Sequence, residues 1–130
     1  MPSFSQTSKD RLATCDARLQ RVFNEVIKHF DCTILEGHRG EEAQNEAYAS
    51  GHSKLKYPKG KHNATPSKAV DVAPWPVDWS DTKRFYYFAG FVMGIAKSMG
   101  IKLRFGGDWD RDTQLKDNKF NDLVHWEIDE

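Results

Sequence analysis

Three polar residues of this chain stand where apolar side chains would be expected. Asp71 lies within the otherwise apolar segment 69–73, and His125 lies within the largely apolar segment 123–128. His62 precedes the first of these segments, at the end of a lysine-rich stretch. A carboxylate in an apolar strand is costly unless it is paired or binds a metal. Two histidines and one carboxylate are the ligand set of many catalytic zinc sites, in which one coordination position is left for water.

Each of these residues also has an ordinary structural interpretation. A single histidine on a strand is more often a hydrogen-bonded core residue than a ligand, and Asp71 could cap a turn or pair with Lys68 or Arg104. The chain contains no His-Glu-x-x-His motif, no Gly-rich phosphate loop and no Gly-x-Ser-x-Gly turn. The residues alone therefore leave two interpretations open, a zinc site or a set of buried hydrogen-bonding groups.

Hydrophobic periodicity predicts the elements that carry these residues. An amphipathic helical face covers residues 8–30 with a break near Asp16, a second helix covers residues 41–50, and a long helix follows Ser80 as its cap and ends at Gly100. Strands are predicted at residues 32–36, 69–73, 101–105 and 123–128. Because no crossover helix separates the last two strands, the predicted fold class is α+β, with a small, mainly antiparallel sheet packed against helices.

Length and composition limit the class of protein. The 130 residues include 8 Phe, 4 Tyr and 4 Trp, which is enough apolar surface for one globular domain. Since 19 basic residues balance 19 acidic ones, no general attraction to nucleic acid is expected. No segment resembles a membrane span or a signal peptide, and we therefore expect no membrane insertion.

Two loops concentrate charge. Residues 51–68 hold five lysines and no acidic residue: Lys54, Lys56, Lys59, Lys61 and Lys68. Such a loop could attract an anionic ligand or simply be solvated, and the sequence does not distinguish the two. In the second loop, Asp108, Asp110 and Asp112 alternate as in calcium loops, but the 12-residue calcium pattern fails at Thr113 and Lys119.

The segments around the three polar residues resemble a known family of zinc enzymes. Residues 61–74, KHNATPSKAVDVAP, are similar to the first motif of the LAS zinc peptidases, Ser-x-His followed by Ala-x-Asp. Residues 122–125, DLVH, match the second motif, acid-x-x-His. Residues 34–39 and 101–109 also resemble stretches of the small phage endolysins in this family. The likeness covers almost the whole chain in the same order and implies the hedgehog/DD-peptidase-like fold.

The resemblance implies a metal site and a substrate-binding residue. It implies that His62, Asp71 and His125 bind Zn²⁺ and that Arg39 holds a substrate carboxylate or stabilises a carbonyl oxygen as it gains charge. Two departures alter the rim beside the metal but remove no ligand. The spacing of nine positions from His62 to Asp71 is longer than is commonest in the family, and Gly60 replaces the motif serine.

Asp122 is the general base that the resemblance implies. Because residues i and i+3 of a regular strand face opposite sides, Asp122 must lie in a turn or bulge before the strand if it is to reach the same site as His125. Glu127 shares a strand face with His125 and is the alternative base. Glu127 could instead hold the His125 ring in position or form a surface salt bridge.

The family contains several kinds of wall peptidase. Likeness to its short phage members predicts an endolysin that hydrolyses the L-alanyl-D-glutamate bond of peptidoglycan stem peptides for host lysis. The alternatives are a D-alanyl-D-alanine carboxypeptidase or dipeptidase, and a non-catalytic wall-binding domain of the same fold. We expect residues 1–130 to form the catalytic domain, without a separate wall-binding domain, as a monomer. Without a signal peptide, it is expected in the host cytoplasm until a holin opens the membrane.

Overall fold

A four-stranded sheet forms the centre of the molecule. The computed structural model describes residues 2–130. In chain order the strands are β1 (Cys32–Glu36), β2 (Ala69–Pro74), β3 (Leu103–Phe105) and β4 (His125–Ile128). They lie side by side in the order β1-β2-β4-β3, and every pairing is antiparallel. The predicted α+β class is confirmed, since the last two strands pair directly.

Helices lie around this sheet. Within residues 2–130 the α-helices are α1 (Gln6–Leu12), α2 (Ala17–Val26), α3 (Glu41–Ala49) and α4 (Thr82–Ser98), and a short 3-10 helix spans Lys61–Asn63. None of these helices combines the length and the hydrophobicity that crossing a bilayer requires. Helices α2 and α4 pack against each other and against the sheet.

Trp126 lies at the centre of the core. Its ring is fully buried and lies 5.6 Å from the rings of Phe23 and Phe88 and 5.5 Å from that of Phe105, measured between centroids. Side chains alternate across a strand, so anchoring Trp126 in the core turns His125 and Glu127 to the opposite face of β4. The packing of one aromatic side chain thus sets the direction of the residues beside it.

The helix predicted over residues 8–30 is broken at Asp16, as expected. Its carboxylate caps α2 by accepting a 2.9 Å hydrogen bond from the backbone N–H of Arg18. The prediction that the helix reaches residue 30 was wrong. After Val26 the chain continues in tighter turns, in which the N–H of Lys28 donates to the carbonyl of Glu25.

Other predicted boundaries also shift, each for a local reason. Asp81, and not Ser80, caps α4, because its carboxylate accepts from the N–H of Arg84 while the Ser80 hydroxyl donates to Asp78. Strand β3 begins at residue 103 because the N–H of residue 101 instead donates to a carbonyl of α4. Strand β4 begins at residue 125 because residues 123 and 124 form a turn.

Candidate active site

The structure brings His62, Asp71 and His125 together. Asp71 and His125 are direct partners in the β2–β4 register, and His62 lies on the short 3-10 helix in the loop before β2. The Oδ1 atom of Asp71 lies 3.3 Å from Nε2 of His62 and 3.4 Å from Nδ1 of His125. Three potential ligand atoms from distant parts of the chain thus converge on one point.

The partners suggested for Asp71 on the basis of sequence lie elsewhere. Lys68 pairs with Asp16 at 3.3 Å, and Arg104 pairs with Glu127 at 2.7 Å. Asp71 is therefore left to the two histidines and to Arg39. Burial alone would raise the pKa of Asp71, but its interactions with His62 and His125 outweigh burial and hold the pKa well below its usual range.

The donor set fits zinc. Within residues 2–130, Nε2 of His62 and Oδ1 of Asp71 are buried atoms that have no hydrogen-bond partner. Buried polar atoms are rarely left in this state. Ligands of a tetrahedral zinc ion at about 2.0–2.1 Å lie about 3.3 Å from one another, close to the separations found here.

The tautomer of each histidine is set by a partner on its far side. Nδ1 of His62 lies 2.7 Å from the carbonyl oxygen of Gly37, and Nε2 of His125 lies 2.8 Å from Oε1 of Glu127. Because a carbonyl and a carboxylate only accept, these ring nitrogens must donate. The other nitrogen of each neutral ring therefore carries a lone pair, directed toward Asp71. Metal-bound histidines are held in this way in many proteins.

Gly37 can hold His62 because it has no side chain. A Cβ at this position would collide with the hydroxyl of Thr14 and the backbone carbonyl of Arg11. Because Gly37 can approach residues 11 and 14 this closely, the chain can turn after β1 and place the carbonyl of Gly37 against the His62 ring. The loop is held from the other side as well, because the N–H of Arg39 donates to the carbonyl of His62 at 2.8 Å.

Asp122 lies in the turn before β4, where the sequence argument required it. Its Oδ2 atom is 3.9 Å from Nδ1 of His125. Burial raises the pKa of Asp122, and the negative charge of Asp71 raises it further, although His125, His62 and Arg39 partly oppose them. A carboxylate with a raised pKa beside these potential ligands is suited to accepting a proton.

Glu127, the alternative base, lies on the other side of the His125 ring. It is buried and contacts Arg104 at 2.7 Å and Lys61 at 3.3 Å. Burial opposes ionisation of Glu127, but hydrogen bonds from His125 and Arg104 outweigh it and lower the pKa to about 2. A carboxylate enclosed by three cationic or donor groups has a low proton affinity. The position of Glu127 therefore fits the role of holding the His125 ring in place.

Arg39 is held beside Asp71 and is only 11% exposed in its side chain. It donates to Glu36 at 2.9 Å, to Gln44 at 3.0 Å and to Asp71 at 3.5 Å. Gln44 was missed by the sequence analysis. It is 1% exposed on α3 and also accepts from Asn63, so it joins the arginine to the loop that carries His62. A glutamine on a polar helix gives no sequence signal for this role.

Two cavities meet at the site. A cavity of about 430 Å³ lies on one side and a cavity of about 910 Å³ on the other. Both are lined in part by Arg39, His52, Phe120 and Asp122. The three potential ligands therefore lie where the two cavities meet, since His62 and His125 line the smaller cavity and Asp71 lines the larger one.

The aspartates of the loop after β3 form a separate group. Carboxylate oxygens of Asp108, Asp110 and Asp112 lie within 4.8 Å of one another. They accept hydrogen bonds from the loop's own backbone, with Asp108 accepting from the N–H of Thr113 at 2.9 Å and Asp112 from that of Gln114 at 2.8 Å. These bonds account for the turn that the loop makes.

Fold and site together show an antiparallel sheet that presents a candidate metal centre to an open cleft. The family described as phage L-alanyl-D-glutamate peptidase matches residues 2–128. The chain belongs to this family of peptidoglycan peptidases. It is 34% identical over 111 residues to the L-alanyl-D-glutamate peptidase of Escherichia phage T5, which covers 82% of this chain and 80% of that protein.

The fold is also shared with a bacterial enzyme. The crystal structure of the L-Ala D-Glu endopeptidase ChiX of Serratia marcescens superposes with a TM-score of 0.76 and 23% identity. The superposition covers 98% of this chain and 91% of that one. At this identity the likeness establishes the architecture, and it agrees with the predicted arrangement of a small antiparallel sheet and helices.

Proposed function

We propose that this protein is a zinc-dependent endolysin that hydrolyses the L-alanyl-D-glutamate bond of the peptidoglycan stem peptide. The observation that carries the proposal is the convergence of His62, Asp71 and His125, with unpartnered buried ligand atoms, beside the raised-pKa carboxylate of Asp122. Membership of the phage L-alanyl-D-glutamate peptidase family supports the choice of bond.

His62 Nε2, Asp71 Oδ1 and His125 Nδ1 would hold the zinc ion. When bound, zinc supplies a Lewis acid that polarises a carbonyl and brings the pKa of water down to about 7. The protein's own contribution is to keep both imidazoles in the ligating tautomer through the Gly37 carbonyl and Glu127.

Asp122 would move the proton. Its Oδ2 atom accepts a proton from the attacking water as the water oxygen bonds to the L-alanyl carbonyl carbon. The same atom then gives the proton to the nitrogen of D-glutamate as the carbon–nitrogen bond breaks. Burial of Asp122 and the negative charge of Asp71 both favour its protonated form, which helps it to hold the proton between these two events.

Arg39 would stabilise the carbonyl oxygen. An arginine has five N–H groups. The N–H on Nε donates to Glu36, the two on Nη2 donate to Glu36 and Asp71, and one on Nη1 donates to Gln44. The second N–H on Nη1 therefore remains for the substrate. A buried guanidinium held by three partners needs little reorganisation when negative charge develops beside it.

The test is digestion of purified peptidoglycan with mass spectrometry of the products. New D-glutamate amino termini are expected, lost on chelation and restored by Zn²⁺. Asp122→Ala is expected to lower turnover at least about 100-fold with zinc still bound, whereas His62→Ala should lose the metal. Release of free D-alanine would instead identify a carboxypeptidase, and wall binding without any cleavage by the zinc-loaded protein would identify a binding domain.

We propose that the protein stays in the host cytoplasm as a monomer until a holin opens the membrane. This part of the proposal is supported by membership of a phage peptidase family and by the relative from Escherichia phage T5. Expressed alone, the protein should fractionate with a cytoplasmic marker, and co-expression of a holin should cause lysis. Light scattering of the purified protein should give a mass near 14.9 kDa. Lysis without a holin, or a dimer mass, would contradict this part of the proposal.

A further inference from the structure

The two cavities that meet at Asp122 differ in charge. The smaller one, here called the basic cavity, is lined by Lys54, Lys59, Lys61 and Arg104, with Asp122 and Glu127 as its acids. The larger one is here called the Trp79 cavity. Its lining contains four acidic residues and one arginine, Arg39; the acidic residues are Glu36, Glu46, Asp71 and Asp122. A ligand crossing the site therefore meets positive charge at one end and neutral or negative surface at the other.

Two of the lysines in the basic cavity are available to a ligand. Lys61 and Arg104 already pair with Glu127. Lys54 and Lys59 are exposed and have no carboxylate within ion-pair distance among residues 2–130. The Nζ atom of Lys54 lies 5.2 Å from the centroid of the Phe120 ring, which forms part of the wall shared by both cavities. Its charge therefore lies close to the point where a substrate would enter the basic cavity.

The opposite end presents an open aromatic face. Trp79 is 63% exposed and lines the Trp79 cavity and a smaller cavity of about 190 Å³ that continues from it along Leu123 and Val124. One face of its indole stacks on Phe85, with 5.5 Å between ring centroids and 17° between planes. This stacking fixes the ring while the exposed face stays open, a geometry suited to the apolar face of a sugar ring.

The stem peptide has the same asymmetry as the cleft. D-glutamate continues the chain through its γ-carboxyl group, so its α-carboxylate is free and anionic. L-alanine is joined through an amide to the lactyl group of N-acetylmuramic acid, so this end is uncharged and carries a sugar. Opposite charges favour one direction of binding, and placing the carboxylate beside Glu36 and Glu46 would be repulsive.

We infer that the stem peptide binds in one direction, with D-glutamate in the basic cavity near Lys54 and Lys59 and with L-alanine and its muramyl sugar in the Trp79 cavity. This inference rests on the proposed function and deepens it by assigning the two halves of the substrate. The lysines determine preference for a free α-carboxylate, and Trp79 determines preference for a substrate that still carries its sugar.

The carboxylate end is tested with two muramyl peptides that contain either D-glutamate or its α-amide, D-isoglutamine. The wild type should have the lower KM for the free acid. The Lys54→Ala/Lys59→Ala double variant should raise the KM of the acid about tenfold with little change in kcat, and should leave the amide unaffected. Lys56→Ala is the matched control, because Lys56 belongs to the same loop but lies over the Tyr48 ring and outside the residues that line either cavity.

The sugar end is tested with the same peptide made with and without N-acetylmuramic acid. The wild type should have the lower KM for the muramyl form, and Trp79→Ala should abolish this difference. Trp79→Phe, which keeps an aromatic ring over Phe85, should retain part of it. Trp75→Ala is the control, because Trp75 is also exposed but lies outside the residues that line the cavities described here.

The outcomes separate this inference from the proposed function. In one outcome, the wild type and the lysine variant both cleave the L-alanyl-D-glutamate bond with the same KM for the D-glutamate peptide and the D-isoglutamine peptide. That result would overturn the inferred direction of binding but not the proposed activity. A sugar preference lost in the lysine variant but kept in Trp79→Ala would reverse the orientation. Failure of the wild type to cleave any of these peptides or purified wall would overturn the proposed function itself.

Discussion

The backbone N–H of Asp122 donates a 2.9 Å hydrogen bond to the carbonyl of Gly106, and the carbonyl of Asp122 occupies the space that a side chain at Gly106 would need. The N–H of Gly106 in turn donates to the carbonyl of His125 at 2.9 Å. The turn that carries the proposed base is thus held against a glycine of the preceding loop. Any larger residue at this position must displace Asp122.

Gly106→Ala should therefore lower kcat by at least about tenfold, because a displacement near 1 Å is enough to misalign a catalytic group. Its zinc content should be unchanged, since Asp122 is not among the three proposed ligands. Gly94→Ala is the control, as a Cβ there meets nothing within 4 Å among the described residues of the molecule, and alanine favours the helix by about 1 kcal/mol. Wild-type kcat in Gly106→Ala would show that this contact does not position the base.

Glu127→Gln should weaken zinc binding by about 10- to 100-fold, because the charged acceptor that holds the His125 tautomer is replaced by a neutral one. At saturating zinc its kcat should stay within a few-fold of wild type. Zinc affinity is measured by competition with a chelator and kcat by peptide cleavage. Loss of turnover at full zinc occupancy, together with an active Asp122→Asn, would instead make Glu127 the base.

Zinc uptake should release about one proton near neutral pH. Burial of His125 opposes its protonation, but Asp71 and Glu127 outweigh burial and raise the pKa to about 9, above the ordinary value near 6.5. Protonation of His125 therefore stabilises the metal-free fold fully below about pH 6.5, and this contribution is lost as the pH rises through about 9.

Zinc competes with that proton, so the affinity should rise roughly tenfold per pH unit between neutrality and about pH 9. Titration calorimetry in two buffers of different ionisation enthalpy measures the number of protons released. In acid, zinc and activity should be lost together. A pH-independent affinity, or full metal content in an acid-inactivated sample, would refute this coupling.

Asp16→Ala should lower the free energy of unfolding by about 1–2 kcal/mol at pH 7, through loss of the α2 cap. Hydrogen bonds from Arg18, assisted by Lys68, outweigh burial and hold the pKa of Asp16 well below its usual range. The contribution is therefore present above about pH 4 and is lost as the pH falls through the folded-state value. Urea unfolding from pH 7 to pH 3 should show the difference from wild type shrinking in acid.

Asp16→Asn separates the cap from the charge in that experiment. The amide oxygen can still accept from the N–H of Arg18, but the ion pairs with Arg18 and Lys68 are lost. We expect a smaller loss at pH 7 than in Asp16→Ala. Equal stability of wild type and both variants would mean that the cap contributes nothing measurable to this fold.

Local sequence patterns were sufficient to predict which helices and strands form and which types of residue occupy the candidate site. Alternation and periodicity placed β1 and the break at Asp16 correctly, because both depend on neighbours within a few residues. Helix and strand ends were less predictable. Whether residue 101 extends β3 depended on a carbonyl of α4 that accepts its N–H, a contact that closes only in the folded chain.

The family motifs indicated the candidate ligands and the candidate base, but the relationships among them arise from the tertiary structure. That His125 faces the cleft depends on Trp126 packing between two helices, and the tautomer of His62 depends on a carbonyl at residue 37. The separation of Asp122 from Glu127 by the His125 ring also exists only once β4 has paired and the turn before it has formed.

The sequence by itself determined the chemistry available to this protein, since side-chain type and local pattern are properties of short segments. Only the tertiary structure decided which nitrogen of each histidine is free, which carboxylate has the raised pKa and which cavity carries positive charge. These properties depend on burial and on distances between residues far apart in the chain, and such distances are set when the sheet and helices pack together.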